Sequence, residues 1–239
     1  MKCSYQIAEY PVYTFPLSPI DSRTYLLRDG SEALIVDPCP SEKFKRFLGK
    51  EGIQKALVLL THEHVDHTLG VNWLRELIDC QVVCSALCGE RIQSPKKNLA
   101  AYFEALYPVP KFIKFPVPLE ELAAYHCQAD QVYTGSLDLE WHGLRLRLME
   151  APGHSPGSQL IFVNDRFCFS GDSLIPDTET ITRFPGGSQK DYQQKTVPLF
   201  SLLPAGSILF PGHGDPAPFS PAHPSLQNHT ILSQRSNVL

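Results

Sequence analysis

The sequence predicts an α/β fold, and three observations carry that expectation. Ala56-Leu57-Val58-Leu59-Leu60 is an apolar run bounded by polar residues, of the length of a fully buried strand. Leu144 to Met149 alternates Leu-Arg-Leu-Arg-Leu-Met, the period of a half-buried strand. Leu99, Tyr102, Phe103 and Leu106 recur at helical spacing. With 239 residues, 43% of them hydrophobic and 19% charged, the chain is long enough to bury a substantial core as one globular domain.

Along the chain, strands are expected at Val12–Phe15, Thr24–Leu27 and Ala33–Val36, followed by a charged helix near Ser41–Leu48. After the Ala56–Leu60 strand come a helix at Leu69–Ile78, a strand at Gln81–Cys84 and a helix at Asn98–Leu106. The proline-rich stretch Tyr107–Pro118 breaks the pattern and reads as a loop beside a cleft. Tyr192–Leu203 suits a helix in which Pro198 makes a kink or marks a first turn. A single domain is expected over residues 1–239, ending in a proline-dotted tail at 216–239 that is too short for a second domain. No internal repeat appears.

Chemistry concentrates in Thr61-His62-Glu63-His64-Val65-Asp66-His67, directly after the buried strand. Open α/β sheets place ligand sites at such strand ends. Side chains repeat every two residues in extended chain, so His62 and His64 face one way. Asp66 and His67 follow where the chain turns and can face a second point. A histidine pair alone would mean little in a chain with 9 histidines. Three within six positions at a strand end point to metal ligation.

Three further histidine or aspartate positions share that setting, each after an apolar run and beside glycine. They are His154 in Ala151-Pro152-Gly153-His154-Ser155-Pro156-Gly157, Asp172 in Gly171-Asp172-Ser173 after Arg166–Ser170, and His213 in Pro211-Gly212-His213-Gly214 after Ile208–Phe210. Glycine and proline end a strand sharply and let backbone approach a buried site.

His62-x-His64-x-Asp66-His67 followed by His154, Asp172 and His213, in this order and spacing, resembles the metallo-β-lactamase superfamily. The likeness is to its glyoxalase II-like branch (hydroxyacylglutathione hydrolases) and runs from about Tyr10 to Asp215. It implies a four-layer αβ/βα sandwich with a cleft at one edge of two facing sheets. It also implies that His62, His64 and His154 hold one metal, that Asp66, His67 and His213 hold a second, and that Asp172 bridges them.

Imidazole and carboxylate ligands suit Zn²⁺ above all, and also Fe or Mn. Two such ions can share a hydroxide formed at neutral pH and polarise a carbonyl, without a serine or cysteine nucleophile. The expectation is a metal-dependent hydrolase of a small-molecule thioester or ester, with Asp66 orienting the hydroxide. The resemblance leaves two alternatives: a mononuclear iron persulfide dioxygenase, and a small nuclease of the same superfamily. His67 and Asp172 stand where the commonest zinc β-lactamases resemble Arg and Cys, which argues against antibiotic hydrolysis as the native role. Thr182-Arg183-Phe184-Pro185-Gly186-Gly187-Ser188 resembles a loop of small bacterial glyoxalase II-like proteins, and there Arg183 is a candidate to bind a substrate carboxylate.

Other features carry less. A net charge of -4 weighs against nucleic-acid partners and anionic membranes. No run approaches a transmembrane span, and the first residues lack the pattern of a secretory signal. Seven cysteines, an odd number, fit a reducing cytoplasm better than a disulfide framework. Cys80, Cys84 and Cys88 read as buried thiols, His126 and His142 as ordinary histidines, and Tyr102, Phe103 and Tyr107 as core.

Overall fold

The structure is a computed structural model and describes residues 3–106 and 116–227. Its first sheet has strands in chain order: β1 (Cys3–Ile7), β2 (Tyr10–Leu17), β3 (Ser22–Asp29), β4 (Glu32–Val36), β5 (Lys55–Leu59), β6 (Asp79–Ser85) and β7 (Gln131–Tyr133). Pairing is antiparallel up to β4 and parallel from β4 to β7, with Val36 opposite Leu59. The second sheet holds β8 (Ser136–Trp141), β9 (Leu144–Glu150), β10 (Gln159–Val163), β11 (Phe167–Gly171), β12 (Ile208–Pro211) and β13 (Ala217–Pro218). Its order is β13-β12-β11-β10-β9-β8, and only β11 and β12 pair in parallel.

Period-two side chains divide each sheet into two apolar faces. Tyr25, Leu27, Leu34, Val36 and Leu59 meet Leu146, Leu148, Ile161, Phe169 and Phe210 between the sheets. The other face of the first sheet, with Leu26, Ile35, Val58 and Val82, packs on α1 (Glu42–Lys50), on α3 (Gly70–Arg75), which follows the short α2 (Val65–Thr68), and on α4 (Ala86–Arg91). Helix α1 starts where Ser41 Oγ accepts the Phe44 amide, and it buries Phe44, Phe47 and Leu48. On the far side, Leu160, Phe162, Cys168 and Leu209 pack on Phe200 and Leu203. The layers are helix, sheet, sheet, helix, as the αβ/βα expectation has it.

Strands β9 and β11 run the same way because each is antiparallel to β10, and β12 runs with β11. The turns after β4, β5, β9, β11 and β12 therefore all leave strand C-terminal ends, and these carry Asp37, the septet, His154, Asp172 and His213. The topology thus brings donors from positions 62 to 213 to one edge.

The expected Leu69–Ile78 helix is shorter, with α3 ending at Arg75. The expected Asn98–Leu106 helix begins late. Leu99 is left-handed at φ 68 and Asn98 Oδ1 accepts the Ala100 amide, so only a 3-10 turn (Ala100–Tyr102) and α5 (Phe103–Leu106) form. Phe103 is buried, but Tyr102 is 45% exposed and is not core; Tyr107 lies outside the described residues, as does most of the Tyr107–Pro118 stretch. Beyond that stretch, α6 (Leu119–Ala123) follows Pro118. Residues 192–203 are not one α-helix. A short α7 (Gln189–Asp191) passes into a π-turn (Tyr192–Thr196) and then a 3-10 helix (Val197–Leu202) with Pro198 in its first turn. Pro198 has no amide proton to continue an α-helical ladder.

The tail is partly built into the fold: Ala217–Pro218 add a strand to the second sheet, and Phe219 and Leu226 pack on its outer core. Cys39, Cys80, Cys84, Cys88, Cys127 and Cys168 are free thiols. No helix among the described residues is long and apolar enough to cross a membrane.

Candidate metal centre

Following β5, the chain stays extended through His64 and then turns into α2, which starts at Val65. His62 and His64 accordingly share a direction, with His62 Nε2 3.1 Å from His64 Nδ1. The turn after β9 adds His154, whose Nε2 lies 3.0 Å from the same His64 Nδ1. All three histidines are buried. Three imidazole nitrogens face one point, with one ligand atom from each inside a 4.8 Å sphere of mutual distances.

Asp66, His67 and His213 form a second group beside the first. Asp66 Oδ2 is 3.3 Å from both His67 Nε2 and His213 Nε2, and those nitrogens are 3.3 Å apart. Asp172 reaches both groups. One carboxylate oxygen, Oδ2, lies 3.6 Å from His154 Nε2 and 3.5 Å from His213 Nε2, and the other, Oδ1, lies 3.6 Å from His67 Nε2. All seven sequence-predicted ligands are therefore brought together. Gly212 makes room for the Asp172 approach, since a Cβ there would stand 2.1 Å from Asp172 Oδ1.

The donors fit divalent cations. Ligands about 2.0–2.1 Å from a tetrahedral zinc ion stand about 3.3 Å from one another, close to the spacings here. Among the described residues Asp172 Oδ1 is buried without a hydrogen-bond partner, a costly position for a carboxylate oxygen unless a cation meets it.

Most imidazoles are aimed by a second contact on the opposite ring nitrogen. His154 Nδ1 donates to Ile181 O at 2.7 Å and His213 Nδ1 to Ile20 O at 3.0 Å. His67 Nδ1 meets Asp37 Oδ2 at 3.0 Å, while Asp37 also accepts the Thr61 amide at 2.7 Å and the Thr61 hydroxyl at 2.6 Å. The Thr61 oxygen in turn lies 3.1 Å from His62 Nδ1. Asp37 thus braces both groups.

Charge divides the groups. Burial, then neighbouring imidazoles, hold His62 and His64 well below the usual histidine range, which leaves them neutral. Burial alone would lower His67 and His213 as well. Asp66 and Asp172 outweigh it, raising His213 and, with Asp37, lifting His67 well above that range. Asp66 follows the same logic in reverse, since burial opposes its charge and His67 and His213 hold it well below the usual carboxylate range.

Two residues of the site, Asp37 and Glu63, have roles that the sequence reading does not assign. Asp37 follows β4 as Asp66 and His67 follow β5, so its position after the apolar Ala33–Val36 run was a usable signal. Glu63 lies inside the septet but points away from the donors, as alternation requires. It is fully buried and accepts hydrogen bonds from Arg91 Nε, Ser155 Oγ and the Gly157 amide. Arg183 is exposed on the turn leading to Phe184, with no ion pair among the described residues. His126 is a surface residue, and His142 bridges Asp29 and Glu32 at 3.0 Å each.

Comparison with known proteins agrees with the geometry. The family model described as the metallo-beta-lactamase superfamily matches residues 17–213. A probable metallo-hydrolase of Bacillus subtilis is 25% identical over 201 residues, 83% of this chain and 88% of that protein. A hydroxyacylglutathione hydrolase of Aeromonas hydrophila is 28% identical over 174 residues, covering 70% of this chain and 51% of the relative. Among solved structures, BLEG-1 B3 metallo-beta-lactamase superposes with TM-score 0.69 at 26% identity, covering 87% of this chain and 93% of that one. TTHA1623 in a di-iron-bound form gives TM-score 0.66 at 27% identity, covering 87% and 94%. With two facing sheets, donors gathered at their shared edge and a family model spanning most of the sequence, the chain belongs to the metallo-beta-lactamase superfamily.

Proposed function

We propose that the protein is a hydrolase that uses two divalent metal ions, zinc before iron or manganese, to cleave a thioester or ester of a small molecule. One observation carries this reading: the Asp172 carboxylate lies between a three-histidine group and an aspartate-histidine group, the arrangement two adjacent ions require. His62, His64 and His154 would hold one ion, Asp66, His67 and His213 the other, and Asp172 both. Bound ions of this kind lower the pKa of water to about 7 and polarise a carbonyl.

The chain supplies the rest. Asp66 accepts a hydrogen bond from the attacking water and turns its lone pair toward the carbonyl carbon. Water adds its oxygen to the acyl group, the carbon–sulfur or carbon–oxygen bond breaks, and the departing thiolate or alkoxide takes up a proton. Phe184 packs edge-on against His64 and His154, with ring centroids 5.8 and 5.9 Å apart, and shields that side from solvent. Arg183, one residue away and exposed, would pair with a substrate carboxylate. The hydroxyacylglutathione hydrolase relative supports the thioester assignment.

Elemental analysis joined to a screen of thioesters, esters, lactones and phosphodiesters tests the proposal. Two metals per chain with thioester or ester cleavage is the expected outcome. One iron per chain with oxygen uptake on glutathione persulfide would replace hydrolysis with a dioxygenase reaction. Purified protein that holds no metal and gains no activity on reconstitution would end the enzyme reading.

A further inference from the structure

The Glu63 carboxylate and the Arg91 guanidinium tie the metal-binding septet to the turn at 182–188. Glu63 Oε1 accepts Arg91 Nε at 2.5 Å, while Glu63 Oε2 holds Ser155 Oγ at 2.8 Å and the Gly157 amide at 3.1 Å, within the His154 turn. The far end of the same guanidinium, Nη2, donates to Pro185 O at 3.3 Å and to Lys97 O at 3.2 Å. Gly186 lies so close that a Cβ would stand 2.8 Å from Arg91 Nη2 and 3.0 Å from Pro156 Cγ. The turn is closed by the Gly187 amide on Phe184 O and the Ser188 amide on Gly153 O, both at 2.8 Å. Its one aromatic residue, Phe184, rests on the edges of His64 and His154.

We infer that Glu63 and Arg91 are positioning residues that fix Phe184 as the apolar wall against which the acyl group of the substrate packs. Glu63 sits between two of the proposed ligands and faces the opposite way, so it relates the turn to the donors through a rigid, buried carboxylate. Arg91 alone can serve both partners at once, because its fork of nitrogens spans Glu63 on one side and Pro185 on the other. A lysine keeps the charge beside Glu63 but presents a single nitrogen. The inference deepens the hydrolase reading and rests on it for the acyl group, whereas the tether itself rests only on the contacts of Glu63 and Arg91.

The test uses the full chain with R91K, F184A and the double variant. Hydrogen exchange measured by mass spectrometry should show at least fivefold faster exchange over 182–188 in R91K, with metal content equal to wild type. On S-acyl N-acetylcysteamine thioesters of increasing acyl length, KM should rise at least fivefold in R91K for the longer acyl groups, with kcat within about twofold. In the F184A background, R91K should then change KM by less than twofold, because the wall it positions is gone. Unchanged exchange over 182–188, loss of metal in R91K, or an equal KM effect with and without Phe184 would each overturn the inference. If wild type cleaves none of the thioesters, the hydrolase reading fails, and the exchange measurement still decides the tether.

Discussion

The three-histidine group and the aspartate-histidine group lie side by side and share Asp172, yet they differ in charge and in bracing. His62 and His64 are held neutral by burial and then by neighbouring imidazoles, His67 first for His62 and His154 first for His64, so their lone pairs are open to a cation at neutral pH. Asp66, Asp172 and Asp37 overcome burial to hold His67 well above the usual histidine range, and Asp172 and Asp66 raise His213 as well, so a cation must compete with protons there. Bracing differs too: His67 leans on a buried carboxylate, whereas in the other group His62 leans on Thr61, His154 leans on a backbone carbonyl, and His64 Nε2 has no hydrogen-bond partner among the described residues. One group is ready for metal, and the other must be unlocked.

The sharpest way to break this comparison is to remove donors from one group or from both. H64A is expected to empty the three-histidine group, H213A to weaken the other, and D172A to impair the two together. Metal catalysis contributes several kcal/mol, so D172A and H64A should lose about a thousandfold or more in kcat/KM. Metal counting on each variant checks the division. A D172A protein that kept both its metal and its activity would remove Asp172 from the centre.

Next in size is the bracing carboxylate. Supporting contacts of this kind change metal affinity by about 10–100-fold when removed. D37N should fall in that range and should act more strongly on the aspartate-histidine group, where Asp37 meets His67 directly, than on His62, which it reaches only through Thr61. Competition with a chelator, read separately for the tighter and weaker ion, measures the difference. Equal losses at both would mean that Asp37 supports the fold and not a particular ligand.

The unequal reach of sequence reading has a physical basis in these same residues. His62, His64, Asp66 and His67 were legible from their spacing in one septet after an apolar run, and His154, Asp172 and His213 because each follows an apolar run and stands beside glycine. Asp37 also follows an apolar run but stands alone between Val36 and Pro38, without a second donor to draw notice. Glu63 was hidden by its neighbours, since alternation that turns His62 and His64 inward turns Glu63 away, and its partner Arg91 is 28 residues distant. The Asn98–Leu106 helix failed for a local reason, a left-handed Leu99 and a side-chain cap at Asn98, which helical spacing of apolar residues does not report.

Acidity gives a subtler separation. A histidine pKa lifted well above the usual range, as at His67, means that the proton is bound in the metal-free protein at neutral pH, so metal binding releases it and affinity rises with pH until that pKa is passed. A lowered pKa means that no proton remains to be released, so affinity stays flat from neutral pH down to the depressed pKa. Affinity at the aspartate-histidine group should thus fall about tenfold per pH unit for each proton displaced, while the three-histidine group holds its metal to lower pH. Calorimetry in buffers of different ionisation enthalpy counts the protons. Equal release at the two groups would contradict the charge division.

The smallest expected effect sits at Thr61, and it isolates a single contact on the three-histidine side. T61V removes the hydroxyl that donates to Asp37 Oδ2 and accepts from His62 Nδ1, while the backbone amide of residue 61 keeps its bond to Asp37 Oδ1. The side chain is packed tightly, since a Cβ at Gly171 would stand 2.5 Å from the Thr61 oxygen, so valine fills nearly the same space. What changes is one buried hydrogen bond to an imidazole and one to a carboxylate, each worth about 1 kcal/mol net. Metal affinity of the three-histidine group should fall by about fivefold, with the other group nearly unchanged because Asp37 still meets His67. A larger loss on the His67 side than on the His62 side would show that Thr61 serves Asp37 first and His62 only by proximity.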